Sequence, residues 1–429
     1  MRTIKHGVTF NNLCLFTLLL ILNGCSKKTS DTQAPPPPPP LPVTPTLSVN
    51  KTSLSIEALT NSKDTFAITA SGSWTATCDS SWLTLSASSG TGNASVILTA
   101  ATNAFDTSGR NAIIILSSAG TKSDTIHVAQ DPGIIVVAGN GTRGANLNQL
   151  QNPAGIFVDA SQNVFVADFF NEWVVKWTPG ATEGIVVAGT GTAGNDLSHL
   201  YNPNSVFVDG AGNIYVGEVS NSRVTLWSPA AAQGVIVAGN GTYGSDSAEI
   251  ASPSGLWEDA NKNVYVADYL NNWVTEWKPG AAKGIVVAGD GTSGYSLNQT
   301  KYPSGVCVDD SGNVYVSLPD VASVAKWAPG ASQGVVVAGG NGEGSGLNQI
   351  SLPQALFIDK NNNLYIADGI GSRVVKWSPG AGHGSVVAGT GVIGSSLMQL
   401  NQPAGISVDI KGYVYVADPL NFRVTRWAQ

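Results

Sequence analysis

The region from residue 134 to the end of this 429-residue chain contains few side chains suited to catalysis. It has two histidines, His199 and His383, which do not share a repeat position and do not lie in a cluster of metal ligands. Zinc sites combine His with Cys, Asp or Glu at short spacings, and acid–base catalysis most often uses His. The sequence also lacks a His-Glu-x-x-His motif and a phosphate-binding loop. We therefore expect a non-catalytic protein with no bound metal and no other cofactor.

Carboxylates that could hold a cation or a polar ligand recur at a spacing of fifty residues. Leu318 interrupts this set, whose members are Asp168, Glu218, Asp268, Asp368 and Asp418. In the structural alternative, these side chains bind turn amides and the arginines five residues downstream, Arg223, Arg373 and Arg423.

Glu258 is the most unusual carboxylate, because its counterparts in the other repeats are Val or Ile. Burial without a partner would raise its pKa and mark it as a functional candidate, a carboxylate facing a central channel. The alternatives are pairing with the nearby Lys262 or simple exposure to a hydrated channel.

Aromatic residues in predicted turns are the candidate ligand-binding residues. Aromatic side chains displayed by loops on a rigid scaffold suit a sugar or a peptide ligand. The set is Phe169, Phe170, Trp173, Tyr201, Tyr243, Tyr269, Trp273, Tyr295 and Tyr302. For Trp173 and Trp273 the alternative is packing in the interior, at a position where other repeats have Arg.

The elements that must position these residues form a repeat of fifty residues without insertions or deletions. Its landmarks include a Pro (153, 203, 253, 303, 353, 403) and a Trp (177, 227, 277, 327, 377, 427). Each repeat has three short runs rich in Val, Ile and aromatic residues, and a fourth run of the type Ile185–Gly189 precedes the next repeat. Four strands per repeat predict a six-bladed β-propeller.

The two ends of the repeat region predict how the propeller closes. Residues 134–139 form a fourth-strand run before the first repeat, and none follows Trp427. Because open strand edges promote aggregation, the leading strand should pair with the strand that ends at Trp427. The small residues at position 155 and its equivalents suit the crowded axis, and the Trp residues suit the wider gaps between blades.

Composition and the amino terminus predict the compartment. The formal charge is −7 with no basic cluster, so we expect no nucleic-acid partner. Arg2 and Lys5 precede the apolar run 13–22, which predicts a signal peptide over residues 1–24. Leu22-Asn23-Gly24-Cys25 resembles the lipobox of bacterial lipoproteins, which implies lipidation of Cys25. Residues 25–46 include six consecutive prolines and predict a stiff spacer.

Residues 47–131 form a separate unit of alternating runs that predicts a small β-sandwich. Its motifs are Ser73-Trp74, Ser81-Trp82-Leu83-Thr84-Leu85 and Val128-Ala129-Gln130, and on these the segment resembles the BACON domain of Bacteroidetes surface proteins. The resemblance implies binding of carbohydrate or mucin, or a spacer role. We expect Trp74 and Trp82 to be core residues. Cys78 and Cys307 lie in different units, so no disulfide is predicted.

Residues 134–429 resemble the NHL-repeat propellers, on the segments Pro403 to Asp409, Tyr415 to Asp418 and Asn421 to Val424. Related propellers include lyases and lactonases, so such an enzyme is the alternative to a binding module. The whole chain predicts an all-β, extracytoplasmic lipoprotein, monomeric and lipid-anchored to a bacterial outer membrane. Its expected ligand is a glycan, bound by the propeller loops, and a protein ligand is the main rival.

Overall fold

The computed structural model describes residues 44–429, which contain β-strands, turns and two short 3-10 helices. The predicted signal peptide, the lipidation site Cys25 and most of the predicted spacer lie outside the described residues. Within 44–429, no helix has the length and apolar character needed to cross a bilayer. The predicted all-β architecture is confirmed, with a sandwich followed by a six-bladed propeller.

The sandwich is built from nine strands in two sheets, ordered β1-β3-β7-β5 and β2-β9-β8-β4-β6. The strands are β1 Leu47–Val49, β2 Ser53–Ile56, β3 Ser62–Ala70, β4 Ser73–Cys78, β5 Leu83–Leu85, β6 Ser89–Thr91, β7 Ala94–Ala100, β8 Arg110–Ser118 and β9 Asp124–Gln130. Alternate residues point inward, as in β3, so Phe66 and Ile68 are buried in the core. Trp74 is also buried, and its Nε1 donates to the Gly92 carbonyl. Trp82 is only half-buried and is covered by the Arg110 guanidinium.

Each propeller blade is a four-stranded antiparallel sheet. The innermost strands are β11 Pro153–Val158, β15 Pro203–Val208, β19 Pro253–Glu258, β23 Val306–Val308, β27 Pro353–Ile358 and β31 Ile406–Val408. The second strands are β12 Val164–Asp168, β16 Ile214–Glu218, β20 Val264–Asp268, β24 Val314–Leu318, β28 Leu364–Asp368 and β32 Val414–Asp418. The third strands are β13 Trp173–Trp177, β17 Arg223–Trp227, β21 Trp273–Trp277, β25 Ser323–Trp327, β29 Arg373–Trp377 and β33 Arg423–Trp427.

The outer strands are β14 Ile185–Gly189, β18 Val235–Ala238, β22 Ile285–Ala288, β26 Val335–Gly339, β30 Ser385–Ala388 and, for the sixth blade, β10 Ile134–Ala138. The 3-10 helices Pro319–Val321 and Pro419–Asn421 follow the second strands of blades 4 and 6.

The predicted closure of the ring is confirmed by the pairing of β10 with β33. Ile134 lies opposite Trp427 and Ala138 lies opposite Val424, in antiparallel register. The sixth blade therefore combines the first strand of the propeller with its last three strands. This arrangement gives the ring no open blade edge between its first and last repeats.

Crowding at the axis explains the small residues of the innermost strands. A Cβ atom added to Gly155 would lie 2.7 Å from the Asn204 carbonyl oxygen, in the neighbouring blade. The six tryptophans that end the third strands are all buried, with 1–3% exposure. Trp327, for example, packs with Val308 and Val314 of its own blade and Tyr265 of the preceding one. Bulky residues thus fill the gaps where blades diverge.

The sandwich contacts the propeller at the sixth blade, and Pro45–Gln429 form one compact unit. The Thr60 amide donates to the carbonyl of Gln429 at 3.1 Å. Lys411 and Glu57 form a salt bridge at 2.6 Å. Ala58 lies in the same apolar cluster as Tyr413. The short linker after β9 and these contacts hold the sandwich against the propeller.

Candidate ligand-binding face

The alternating direction of the strands gives each blade two ends with different loops. We call upper face the surface made by the turns after the second strands, such as 169–172, and by the connections to the next blade, such as 190–202. The lower face is made by the turns after the first and third strands, such as 159–163 and 178–184. Seven of the nine candidate aromatic residues lie in these turns and connections, and Trp173 and Trp273 are the first residues of the third strands β13 and β21.

Three of these residues meet between blades 3 and 4. Tyr269 and Tyr302 stack with ring centroids 4.9 Å apart and planes inclined by 19°. Lys301 connects them to Tyr295, because its Nζ lies 4.7 Å from the Tyr295 ring centroid and donates to the Tyr295 hydroxyl at 2.8 Å. We call Tyr269, Tyr295, Lys301, Tyr302 and Asp320 the tyrosine cluster. Its rings offer a partly exposed aromatic surface next to polar groups, which suits an amphipathic ligand.

Two charged members of the tyrosine cluster were not predicted. Asp320 lies in the 3-10 helix Pro319–Val321 and forms a salt bridge with Lys301 at 2.8 Å. The hydrogen bonds of Lys301 to Asp320 and Tyr295 raise the pKa of Lys301. A signal was present in the sequence, since Leu318-Pro319 breaks the pattern of the other repeats at this turn. At this turn the Asp320 carboxylate lies within reach of Lys301 in the connection that enters blade 4.

The other exposed candidates do not join this cluster. Phe169 and Phe170 pack edge to face on blade 1, with centroids 5.1 Å apart. Tyr201 and Tyr243 are exposed in the connections that follow blades 1 and 2. No ring contact links these four residues to the tyrosine cluster within residues 44–429. The upper face therefore carries one compact aromatic site and several isolated aromatic side chains.

Trp173 and Trp273 are half-buried and occupy the register position that holds Arg in three other blades. Trp273 Nε1 donates to Asp268 at 3.3 Å, and its ring lies against Gly291. The Trp173 ring lies against Gly191, and its Nε1 has no hydrogen-bond partner among the described residues. This geometry favours the packing alternative for both tryptophans.

The recurring carboxylates are buried and fully engaged, as their structural alternative predicts. Asp168 accepts the Asn152 amide at 2.8 Å and the Asn171 side-chain amide at 2.7 Å. Asp418 additionally accepts from the Arg423 guanidinium at 3.0 Å. Burial raises the pKa of four of them, although the hydrogen bonds oppose this shift: Asp168, Asp268, Asp368 and Asp418. These groups organise the upper loops and are unavailable to a ligand.

Glu258 is buried and has two partners. The Tyr215 hydroxyl donates to its Oε1 at 2.8 Å, and Lys262 Nζ lies 3.1 Å from the same oxygen. Lys262 also reaches Asp209 of the preceding blade at 3.1 Å. The predicted pairing with Lys262 is thus confirmed, and Glu258 connects blades 2 and 3.

A Ser, His and Asp occur together at Asp196, Ser198 and His199, but their geometry does not form a catalytic triad. The Asp196 carboxylate and the Ser198 hydroxyl both contact Nδ1 of His199, at 2.8 and 3.1 Å. A triad needs the hydroxyl and the carboxylate on opposite ring nitrogens. Within the part of the chain that the structure describes, no group of three or more His, Cys, Asp and Glu side chains could hold a metal.

Comparison with known proteins finds a family match within the sandwich and solved structures of similar architecture. Residues 72–131 match the family model BACON, described as "Putative binding domain, N-terminal". A solved Bacteroides thetaiotaomicron protein of unknown function superposes with a TM-score of 0.57 at 16% identity, over 90% of this chain and 98% of the other. An auxiliary nutrient binding protein from Bacteroides ovatus gives 0.53 at 10% identity, over 90% and 97%. At these identities the likeness concerns the fold alone. No curated protein matches the sequence.

Proposed function

We propose that this protein is a non-catalytic binding protein that takes a glycan on the upper face of its propeller, at the tyrosine cluster. The observation that supports this most is the stack of Tyr269 on Tyr302, flanked by Lys301 and Tyr295. The apolar face of a sugar ring packs on aromatic rings, while its hydroxyls bond to the ammonium and phenol groups. A rigid blade holds each loop, so little ordering accompanies binding.

The sandwich and the similar structures agree with a binding role. The family model at residues 72–131 is described as "Putative binding domain, N-terminal", and the Bacteroides ovatus neighbour is named as an auxiliary nutrient binding protein. The engagement of the buried carboxylates by amides and arginines argues against an acid–base role for them. The NHL-type motifs of the repeats fit the propeller, and NHL membership is part of this proposal.

The proposed location is outside the cytoplasm, with a lipid on Cys25 anchoring the chain to the outer membrane. The lipobox-like Leu22-Asn23-Gly24-Cys25 motivates this assignment. Metabolic labelling with a radioactive fatty acid should mark the wild type and leave Cys25→Ser unlabelled. Equal labelling of both chains would contradict the assignment.

A glycan array probed with the purified full chain tests the ligand class. We expect retained glycans, and loss of that signal in Tyr269→Ala and Tyr302→Ala. Phe170→Ala is the matched control, because Phe170 is an exposed aromatic on the same face outside the tyrosine cluster. An array without any retained glycan would overturn the glycan assignment in favour of a protein ligand. Unchanged binding by both tyrosine variants would remove the tyrosine cluster from the proposal.

A further inference from the structure

Four aromatic rings line one side of the lower end of the central channel. Phe157 packs on Phe207 at 4.7 Å, Phe207 on Trp257 at 5.5 Å, and Trp257 on Phe357 at 5.8 Å between ring centroids. We call these four residues the aromatic collar. Each is the fifth residue of an innermost strand that begins at Pro, and each is only half-buried. Each of these side chains packs against the apolar core of a blade and leaves part of its surface exposed at the axis.

The collar is an arc and not a full circle. Blades 4 and 6 have Cys307 and Ser407 at the equivalent position, and both are buried. Trp257 and Phe357 meet across blade 4, so the small Cys307 leaves no gap there. At blade 6 the Ser407 hydroxyl accepts the Val158 amide at 3.1 Å. No ring contact joins Phe357 to Phe157 among residues 44–429, so the arc opens toward blade 6.

The collar separates a narrow channel from a wide cavity on the lower face. The channel above it has a volume of about 100 Å³. The cavity below it, which we call the lower well, has a volume of about 610 Å³ and is also lined by Asp159, Asp209, Asp409 and Ile410. Small-molecule sites usually occupy about 300–1,000 Å³. The lower well is therefore large enough for a ligand, and the channel is not.

The lower well continues into a groove of about 510 Å³ that ends at the sandwich. Phe357, Asp409 and Ile410 line both spaces. Thr60 of the sandwich lines the far side of the groove. Ile410 is 77% exposed, although it lies at the junction of the two spaces. The two spaces together form an elongated cleft, which suits a chain-like ligand.

The charges of the cleft argue for an uncharged ligand. The carboxylates of Asp159, Asp209 and Asp409 line the lower well and would repel an anion. The groove carries both signs of charge, because Asp359 and Lys360 line it and Lys411 is paired with Glu57, so a ligand of either charge would meet a like charge there. Lys360 and the Thr60 hydroxyl can exchange hydrogen bonds with hydroxyl groups, whereas Asp209 and Asp409 are already engaged by neighbouring amides and side chains. A neutral ligand that is apolar on one face and rich in hydroxyls matches both the collar and its polar surroundings.

We propose that the lower well and groove form a second binding site, which takes a neutral oligosaccharide. One sugar ring packs on the collar, and the following residues run past Ile410 along the groove to the sandwich. This site is on the opposite end of the blades from the tyrosine cluster and does not depend on it. It also assigns a role to the docking of the sandwich at blade 6, which completes the groove.

Calorimetric titration of the full chain tests this site. The probes are neutral hexasaccharides of glucose, of mannose and of xylose, with a galacturonate hexasaccharide as the anionic match. We expect at least one neutral probe to bind. Its affinity should fall by about tenfold in Phe357→Ser, which introduces the serine that blade 6 already has at the equivalent position, Ser407. Ile410→Gly, which copies Gly210 of blade 2, should weaken binding by a few-fold.

The variants Tyr269→Ala and Tyr302→Ala distinguish binding at the lower site from binding at the tyrosine cluster. Unchanged affinity of the neutral probe in these variants, with loss in the collar variant, supports the lower site. Loss only in the tyrosine variants would overturn the lower site and leave the upper-face proposal intact. Binding of the galacturonate probe alone, or of no probe, would also overturn it. If Phe357→Ser unfolds, the exposed Ile410→Gly decides, and unchanged binding there contradicts the proposal.

Discussion

The lower and upper ends of the blades are stabilised by different chemistry. At the lower end, each third strand finishes in a buried tryptophan that packs among aliphatic side chains. At the upper end, five of the six second strands finish in a buried carboxylate that holds the loops through hydrogen bonds. The stability that apolar packing provides does not depend on pH, whereas the stability that a buried carboxylate provides depends on whether it is ionised. The comparison shows how one repeat can keep a rigid framework while its upper loops differ between blades.

The lower face has carboxylates too, but in a different setting. Asp209 and Asp309 begin the turns after the innermost strands, and Asp309 accepts the Ser311 and Asn313 amides at 2.9 Å each. Burial alone would raise the pKa of Asp309, but these bonds and the Asn313 side chain outweigh it and hold the pKa below its usual range. Burial shifts the pKa of four upper carboxyls in the opposite direction, those of Asp168, Asp268, Asp368 and Asp418. The contributions of Asp309 and of these four upper carboxyls to stability should therefore respond to pH in opposite directions.

The largest effect is expected from the lower packing. Trp327→Ala should reduce the free energy of unfolding by about 3–5 kcal/mol, because it leaves a large cavity between blades 3 and 4. Denaturant unfolding followed by circular dichroism measures this loss. Trp257→Ala is the matched control, since that Trp is half-buried at the axis, and it should cost clearly less. Equal losses would contradict the assignment of Trp327 as a core residue.

Removing an upper carboxylate should cost less, and the cost should depend on the blade. Asp418→Asn leaves the buried Arg423 without its charge partner, and we expect a loss of about 3 kcal/mol. Asp168 is bound by amide donors and has no arginine partner. Asp168→Asn therefore leaves no buried cation unpaired, and we expect the free energy of unfolding to fall by only about 1–2 kcal/mol. The same denaturation experiment compares them. A larger loss of unfolding free energy for Asp168→Asn than for Asp418→Asn would show that pairing with Arg423 does not determine the cost of removing an upper carboxylate.

The pH dependence should have opposite signs at the two ends. For a lowered pKa, as in Asp309, stabilisation is complete above the unfolded value of 3.8 and is lost as pH falls through the folded pKa. For a raised pKa, as in Asp268, the folded state binds the proton more tightly, so stability decreases as pH rises from 3.8 through the folded pKa. Unfolding free energies of Asp309→Asn and Asp268→Asn, measured against wild type between pH 3 and 7, should diverge accordingly. Parallel curves would refute the opposite shifts.

The smallest effect is expected at the link between blades 2 and 3. Lys262→Gln introduces the residue found at the equivalent position of blade 1, where Gln162 donates to Asp409 across a blade boundary. The substitution removes the cation that pairs with the buried Glu258. We expect a loss of about 1 kcal/mol, and most of it should disappear in the double variant with Glu258→Val, the residue found at Val158. Thermal unfolding of the three variants completes the double-mutant cycle. Additive losses would mean that Lys262 and Glu258 do not interact.

The tyrosine cluster shows where sequence reasoning reached its limit. Exposed aromatics in the loops were found from the sequence, because turn residues and periodic strands are local signals. Which of them meet was not predictable, since Tyr269 belongs to a turn of blade 3 and Tyr302 to the connection toward blade 4. Their contact requires both loops to rise from blades held at a set angle. Asp320 joined the cluster only because a 3-10 helix turned it toward Lys301.

The repeat of fifty residues was sufficient to predict the strands, the number of blades, the small residues at the axis and the closure of the ring by residues 134–139. These features follow from residue size and strand propensity, which are local properties of each repeat, and from the need to pair every strand edge. The aromatic collar, the lower well and the docking of the sandwich at blade 6 were decided only by the tertiary structure. Cys307 and Ser407 interrupt the collar in the sequence, and its four aromatic residues become neighbours only when the closed ring brings the innermost strands together at the axis.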